Sequence, residues 1–205
     1  MNFNILKEKN IEINSILDIG AHSGHFTNDC KKNYPNAYYY LIEGNPISDN
    51  VLKTLGVDYK ICYLSDKIKD TVLYKTRHNE FCTGDSLYRE NTHYYGDDLV
   101  VEVPITTETL DNIFTNNEVF DFIKIDTQGS EIDIIKGGIE LCKRAKVFLL
   151  EASVLNYNEG GPLLDDVIEF MKTIGFDEYE IVYNIPHPDD HSITIQHDIL
   201  FFKSK

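Results

Sequence analysis

Short apolar runs alternate with amphipathic stretches from residue 15 onward. Residues 15–19 (SILDI), 37–43 (AYYYLIE), 120–125 (FDFIKI) and 147–150 (VFLL) are nearly continuous in apolar or aromatic side chains. Strands of a parallel sheet covered on both faces read this way. Residues 57–64 form a further strand-like run, ending at Ser65 and Asp66. Between these runs, residues 26–33, 51–55, 109–114, 130–137 and 163–174 carry helical patterns, the last stopped by Gly175. Strand and helix in alternation predict a doubly wound α/β fold. Two strand-like runs close the chain at 178–183 and 192–202, and residues 1–13 read as a leading helix or arm. Residues 70–76 and 99–107 are also strand-like. The polar segment 77–98 between them is too long for a tight turn, so it is expected to cover a site and contact substrate.

Such a fold puts its ligands at the carboxyl ends of the strands, and acids recur there. The first strand carries Asp18 and leads into a turn with Gly20 and Gly24, spaced G-x-x-x-G. Glycine permits a sharp turn and a close approach of main chain or ligand. The spacing is not the G-x-G-x-x-G of dinucleotide binding, and the acid-rich surroundings suit a cationic or amino-acid-bearing ligand better than a pyrophosphate. Glu43, at the tip of the second strand, is placed to accept hydrogen bonds from a ribose. Asp66 could bond an adenine amino group or begin a turn. Asp126 leaves the fourth strand into a glycine turn (DTQGSE), where Ser130 and Glu131 suit the start of a helix. Glu151 stands at the expected end of the fifth strand. Asp189, Asp190 and His191 lack helical metal-ligand spacing and read as a polar turn.

Composition narrows the partners. A net charge of -15 over 205 residues argues against nucleic acid or an anionic membrane surface. No run is long enough for a membrane span and no signal-peptide pattern opens the sequence. The length suits a single domain, residues 1–205. Cys30, Cys62, Cys82 and Cys142 are far apart and unpaired in pattern, as expected of reduced, buried thiols in a cytoplasmic protein.

Taken together, LDIGAHSGHF, the EGNP after the second strand, LSD after the third, TLDNIF and above all FIKIDTQGSEIDIIKGG resemble the FkbM family of S-adenosylmethionine-dependent methyltransferases. VFLLEAS, NYNEGGP and QHDILFF are similar to that family as well. His22 stands where many members have asparagine. The resemblance implies a Rossmann-like class I methyltransferase: a mostly parallel seven-stranded sheet with helices on both faces, its last strand antiparallel, plus an inserted hairpin or lid. It also implies methyl transfer to a hydroxyl of a sugar or other small metabolite, with S-adenosylhomocysteine as product. The cofactor site it implies comprises Asp18, Gly20, His22, Gly24, Glu43, Ser65, Asp66 and Asp126.

An alcohol acceptor must lose a proton during or after attack, which calls for a general base. Asp126, Glu151, His22 and His25 are the candidates, with Asp126 ranked first as a site residue and Glu151 next. No metal is expected. The acceptor is read as a small molecule, a sugar or nucleotide-sugar among the options. Three other readings stay open: N-methylation of a small amine, a nicotinamide oxidoreductase, and a non-catalytic nucleoside- or partner-binding module on the same fold. The missing G-x-G-x-x-G counts against the oxidoreductase, and acids at four strand tips count against a dead site.

Overall fold

A computed structural model describes residues 3–77, 83–115 and 118–203. Its strands are β1 (Ser15–Ile19), β2 (Tyr38–Glu43), β3 (Asp58–Ile61), β4 (Tyr63–Leu64), β5 (Asp70–Thr76), β6 (Val100–Glu108), β7 (Phe122–Ile125), β8 (Val147–Ser153), β9 (Glu178–Pro186) and β10 (Thr194–Phe202). The helices are α1 (Asn4–Glu8), α2 (His25–Asn33), α3 (Asp49–Leu52), α4 (Leu110–Ile113), α5 (Glu131–Lys136), α6 (Ile139–Cys142) and α7 (Leu164–Thr173).

Seven strands make the main sheet in the order β3-β2-β1-β7-β8-β10-β9. Its first five members pair in parallel, while β10 runs antiparallel to both β8 and β9. This is the expected class I arrangement. The central strands are buried almost throughout, and apolar clusters fill both faces. One cluster joins Leu17, Ile123 and Phe148 to the helix residues Ile134, Ile135 and Met171. The other joins Ile16, Leu41 and Phe122 to Leu6 and Cys30, so the leading arm is a helix packed on the sheet.

The structure corrects the third and fifth strands. The run expected at 57–64 breaks at Cys62. β3 stays in the main sheet, and β4 turns away to pair with β6 through Tyr63↔Thr107 and Leu64↔Glu108. The inserted hairpin β5–β6 supplies this second partner, giving a separate three-stranded sheet β4-β6-β5. The fifth strand runs on through Ser153, because β10 continues to pair opposite it as far as Gln196↔Ser153. Glu151 therefore lies inside a strand and not at its tip.

Much of the polar segment 77–98 is tied down; its residues 78–82 lie outside the described ones. Ser86 pairs with Tyr74 and donates its hydroxyl to the Gln128 carbonyl at 2.6 Å. The Tyr88 hydroxyl donates to Asp133 at 2.8 Å, and the Asn91 and Glu159 amides bond Tyr157 and Arg89 carbonyls, each at 2.7 Å. The segment thus bridges the turn after β7 and the loop after β8. Cys30 and Cys142 are buried free thiols, and Cys62 is half-buried; Cys82 falls outside the described residues. Among the described residues no helix is long and apolar enough to cross a membrane, and no group of three or more His, Cys, Asp or Glu could hold a metal ion.

Candidate active site

Two clefts open at the carboxyl ends of the strands, and Thr83 and Gln128 line both. The first encloses about 830 Å³ including space open to solvent. Its walls come from the end of β1 (Ile19, Gly20, His22), the end of β2 (Ile42 to Asn45), Cys62 to Leu64, and the turn after β7 (Asp126 to Gln128).

Glu43 is the most firmly built group on this rim. Its Oε2 accepts from the His22 amide at 2.7 Å and its Oε1 from the Asn45 amide at 2.8 Å. Two backbone donors thus aim the carboxylate, and its remaining lone pairs are directed by geometry, not by a floppy side chain. Gly20 has φ +72°, and a Cβ there would lie 1.9 Å from the Asp126 carbonyl oxygen. Only glycine lets the loops after β1 and β7 meet this closely. His22 also has positive φ, at 48°, and lines the cleft.

Beneath this floor lies a buried ion pair. Asp18 and Lys124 are cross-strand neighbours on β1 and β7. Lys124 Nζ lies 3.2 Å from Asp18 Oδ1 and 3.6 Å from Asp126 Oδ2, and donates to the Gly20 carbonyl at 2.7 Å. Thr27 donates its hydroxyl to Asp18 Oδ2 at 2.7 Å. Burial alone would lower the Lys124 pKa, but the charges of Asp18, Asp126 and Glu43 outweigh it and hold the ammonium protonated. Asp18 is 0% exposed, so it holds Lys124 and does not reach the cleft. Asp126 does reach it, with its side chain 43% exposed.

Four other sequence candidates lie elsewhere. His25 is exposed at the start of α2 and lines neither cleft. Gly24 packs on the short turn after α3: a Cβ there would lie 2.3 Å from Leu55 Cδ1. Ser65 and Asp66 follow β4, not β3, and are carried past the cleft wall. Asp66 is committed to Lys69 at 2.9 Å and Ser65 at 3.1 Å, and the Lys69 bond holds its carboxyl below the usual range. Cys62, Tyr63 and Leu64 take their place in the wall, and the Tyr63 ring lies against Gly44.

The second cleft lies beyond Gln128, between the inserted segment and the β9–β10 turn. Glu151 stands in it, its Oε1 accepting from Gln128 Nε2 at 2.7 Å and Gln196 Nε2 at 2.6 Å. Burial pushes the Glu151 carboxyl well above its ordinary range, and the charges of Asp126, Glu131 and Asp198 push the same way. Asp198 is its cross-strand neighbour on β10, and burial raises that carboxyl to about 6. Glu131, fully enclosed, accepts from the Thr127 and Gly129 amides at 3.0 and 3.2 Å, yet burial carries it to about 7. It fastens the turn on which Gln128 sits at φ +56°. A non-glycine residue in this region stores strain, which the Ser86 and Glu131 bonds sustain.

Lys124, Gln128, Gln196 and Asp198 thus join the residues expected from sequence. For Lys124 a signal existed: it is the lone charge in the FIKI strand, where an ion has to be paired. The others depend on contacts between distant segments.

The sequence pattern of the Methyltransferase FkbM domain matches residues 18–178. The chain belongs to the FkbM family of S-adenosylmethionine-dependent methyltransferases. A search of curated proteins gives no match. Among solved structures, the chain is similar to methyltransferase FkbM from Methylobacillus flagellatus KT, with 15% identity and a TM-score of 0.56, covering 93% of this chain and 44% of that one. It thus spans less than half the length of that relative. It is also similar to precorrin-6y C5,15-methyltransferase from Geobacter metallireducens GS-15 (16% identity, TM-score 0.51, covering 94% and 81%). The N-terminal domain of EvdMO1, solved with S-adenosylhomocysteine bound, gives 12% identity and a TM-score of 0.52 over 98% and 79%. At these identities the likenesses bear on fold, and the family assignment rests on the domain match.

Proposed function

We propose that this FkbM-family chain methylates a hydroxyl of a small molecule, with S-adenosylmethionine in the first cleft and the acceptor in the second. The observation that carries this reading is the junction at Gln128. There, a cleft with an aimed carboxylate, Glu43, meets a cleft with a proton-hungry one, Glu151. S-adenosylmethionine, when bound, supplies an electrophilic methyl group on a sulfonium and is left as S-adenosylhomocysteine.

The residues of the first cleft fit that donor. Glu43, aimed by two amides, is suited to accept from both ribose hydroxyls. The apolar wall of Cys62, Tyr63 and Leu64 is suited to the base, in place of the Asp66 contact expected from sequence. Asp126 supplies negative charge on the side facing Gln128, and Gly20 leaves room for the amino-acid end. Lys124 adds no repulsion of its own, because Asp18 neutralises it.

In the second cleft, Glu151 takes the hydroxyl proton as the oxygen attacks. Its raised affinity for protons suits that role. Gln128 and Gln196 are positioning residues, since both amides donate to the same carboxylate oxygen and fix its direction. Transfer to an amine nitrogen needs no base, and the clamped carboxylate favours oxygen over it. His25 has no part in this scheme.

The experiment is thermal denaturation with S-adenosylhomocysteine or NAD at a large excess. A ligand at 100 times its Kd adds ~2.7 kcal/mol, a rise of about 5–10 °C for a chain of this size. The rise is expected with S-adenosylhomocysteine and not with NAD. Stabilisation by NAD alone would reinstate the oxidoreductase reading.

A further inference from the structure

The second cleft is lined by Glu90, Glu151, Gln128, Gln196 and the tyrosines 94, 95 and 157, together with small and apolar residues, and none of its described lining residues is Lys, Arg or His. Three basic residues near the cleft are already engaged. Arg89 donates to Asp97 at 2.5 Å and to the Tyr95 carbonyl at 3.0 Å. Lys75 lies 3.6 Å from Asp85, and His93 lies 3.4 Å from Asp189. Glu90 is a second enclosed carboxylate, 6% exposed, held by the Thr92 hydroxyl and by Tyr157.

We infer that the acceptor is a neutral or amine-bearing hydroxy compound without a phosphate or carboxylate group, selected by Glu90 and Glu151. This rests on the assignment of the second cleft to the acceptor. An anionic acceptor would face two enclosed carboxyl groups, with no cation among the described lining residues to offset whichever of them is ionised. Like charges at a few ångströms in such surroundings repel strongly enough to cost on the order of tenfold or more in affinity. An ammonium group would be attracted by the same acids, and the tyrosine rings offer it their faces. Sugars that would bring a phosphate into this cleft are thereby disfavoured, which narrows the acceptor expected from sequence.

The test uses three probes that share one ring and differ in charge: D-glucosamine, D-glucose and D-glucose 6-phosphate. Each is titrated by NMR into the full chain loaded with S-adenosylhomocysteine. Glucosamine should bind at least as well as glucose, and the phosphate about tenfold or more weaker. Glu90→Gln should shrink the advantage of the amine. Pro188→Lys, at an exposed position on the cleft wall, should raise the affinity of the phosphate without disturbing the core. A phosphate that binds as tightly as the amine overturns the inference, and so does failure of both glucosamine and glucose to bind on loaded protein. If S-adenosylhomocysteine itself does not bind, the cofactor assignment falls first and this inference with it.

Discussion

The two clefts are made of different material. The rim of the first is aimed by backbone: Glu43 bonds the His22 and Asn45 amides, Lys124 bonds the Gly20 carbonyl, and the loops after β1 and β7 pack closely at Gly20, above the Asp18–Lys124 pair. The second is held by side chains, Glu151 gripped by Gln128 and Gln196 from distant segments, and Glu90 by its neighbour Thr92 and by the distant Tyr157. Backbone geometry at strand ends is a property of the fold, so the first cleft suits a ligand common to a family. Side chains can change while the sheet stays the same, so the second suits a ligand particular to this chain.

This contrast makes the two halves separable by mutation. The largest effect is expected from Glu151→Gln. Turnover, followed as methyl label reaching an acceptor, should fall about 10²–10⁴-fold while S-adenosylhomocysteine still binds. In the unaltered chain, turnover should drop as pH falls through the raised Glu151 pKa, because only the deprotonated carboxylate accepts the proton. The variant should lose that limb. Equal losses of turnover and of product affinity would erase the distinction between the clefts.

Lys124→Met probes the floor of the first cleft. Removing one partner leaves Asp18 buried and uncompensated, so urea unfolding should show a loss of about 3–5 kcal/mol. Adding Asp18→Asn should recover much of it. No recovery would mean that the pair is not what holds this floor together.

Next in size is the pH dependence of stability. Glu131 and Asp198 hold their protons more tightly folded than unfolded, to about 7 and about 6. Their contribution is complete below the ordinary carboxyl range and is lost as pH rises through those values. Midpoints in urea should therefore decline from about pH 5 to pH 8, by on the order of 2–3 kcal/mol if Glu131 dominates. Below about pH 4 the trend reverses, because Asp29, Asp66 and Asp190 have lowered pKa values and lose their partners there. A flat profile would show that the acids beside Gln128 are better solvated than their burial implies. Smallest of all is His25→Ala, expected to change stability by less than about 0.5 kcal/mol and leave product affinity intact. A clear loss of affinity would return His25 to the site.

The same contrast explains what could be read from residues alone. Gly20, Glu43 and Asp126 each sit where a buried strand runs into a turn, a local pattern visible within a dozen residues. Asp18 shares that pattern, but its burial under Thr27 and Lys124 is a tertiary fact, and the pairing of β1 with β7 brings Lys124 from over a hundred residues away. The break at Cys62 was hidden because the strand's second partner, β6, arrives only with the insertion. Gln196 and Asp198 enter the site because β10 slots between β8 and β9. Nothing in the closing QHDILFF run signals which side chains will meet Glu151.

The most direct test of the first cleft is calorimetric titration of S-adenosylhomocysteine into the intact chain and into Glu43→Ala. Saturable binding is expected to the first and affinity weakened about 10–100-fold in the second, the loss of one or two charge-assisted hydrogen bonds. Equal affinity in both, or no heat with the intact folded chain, would contradict it.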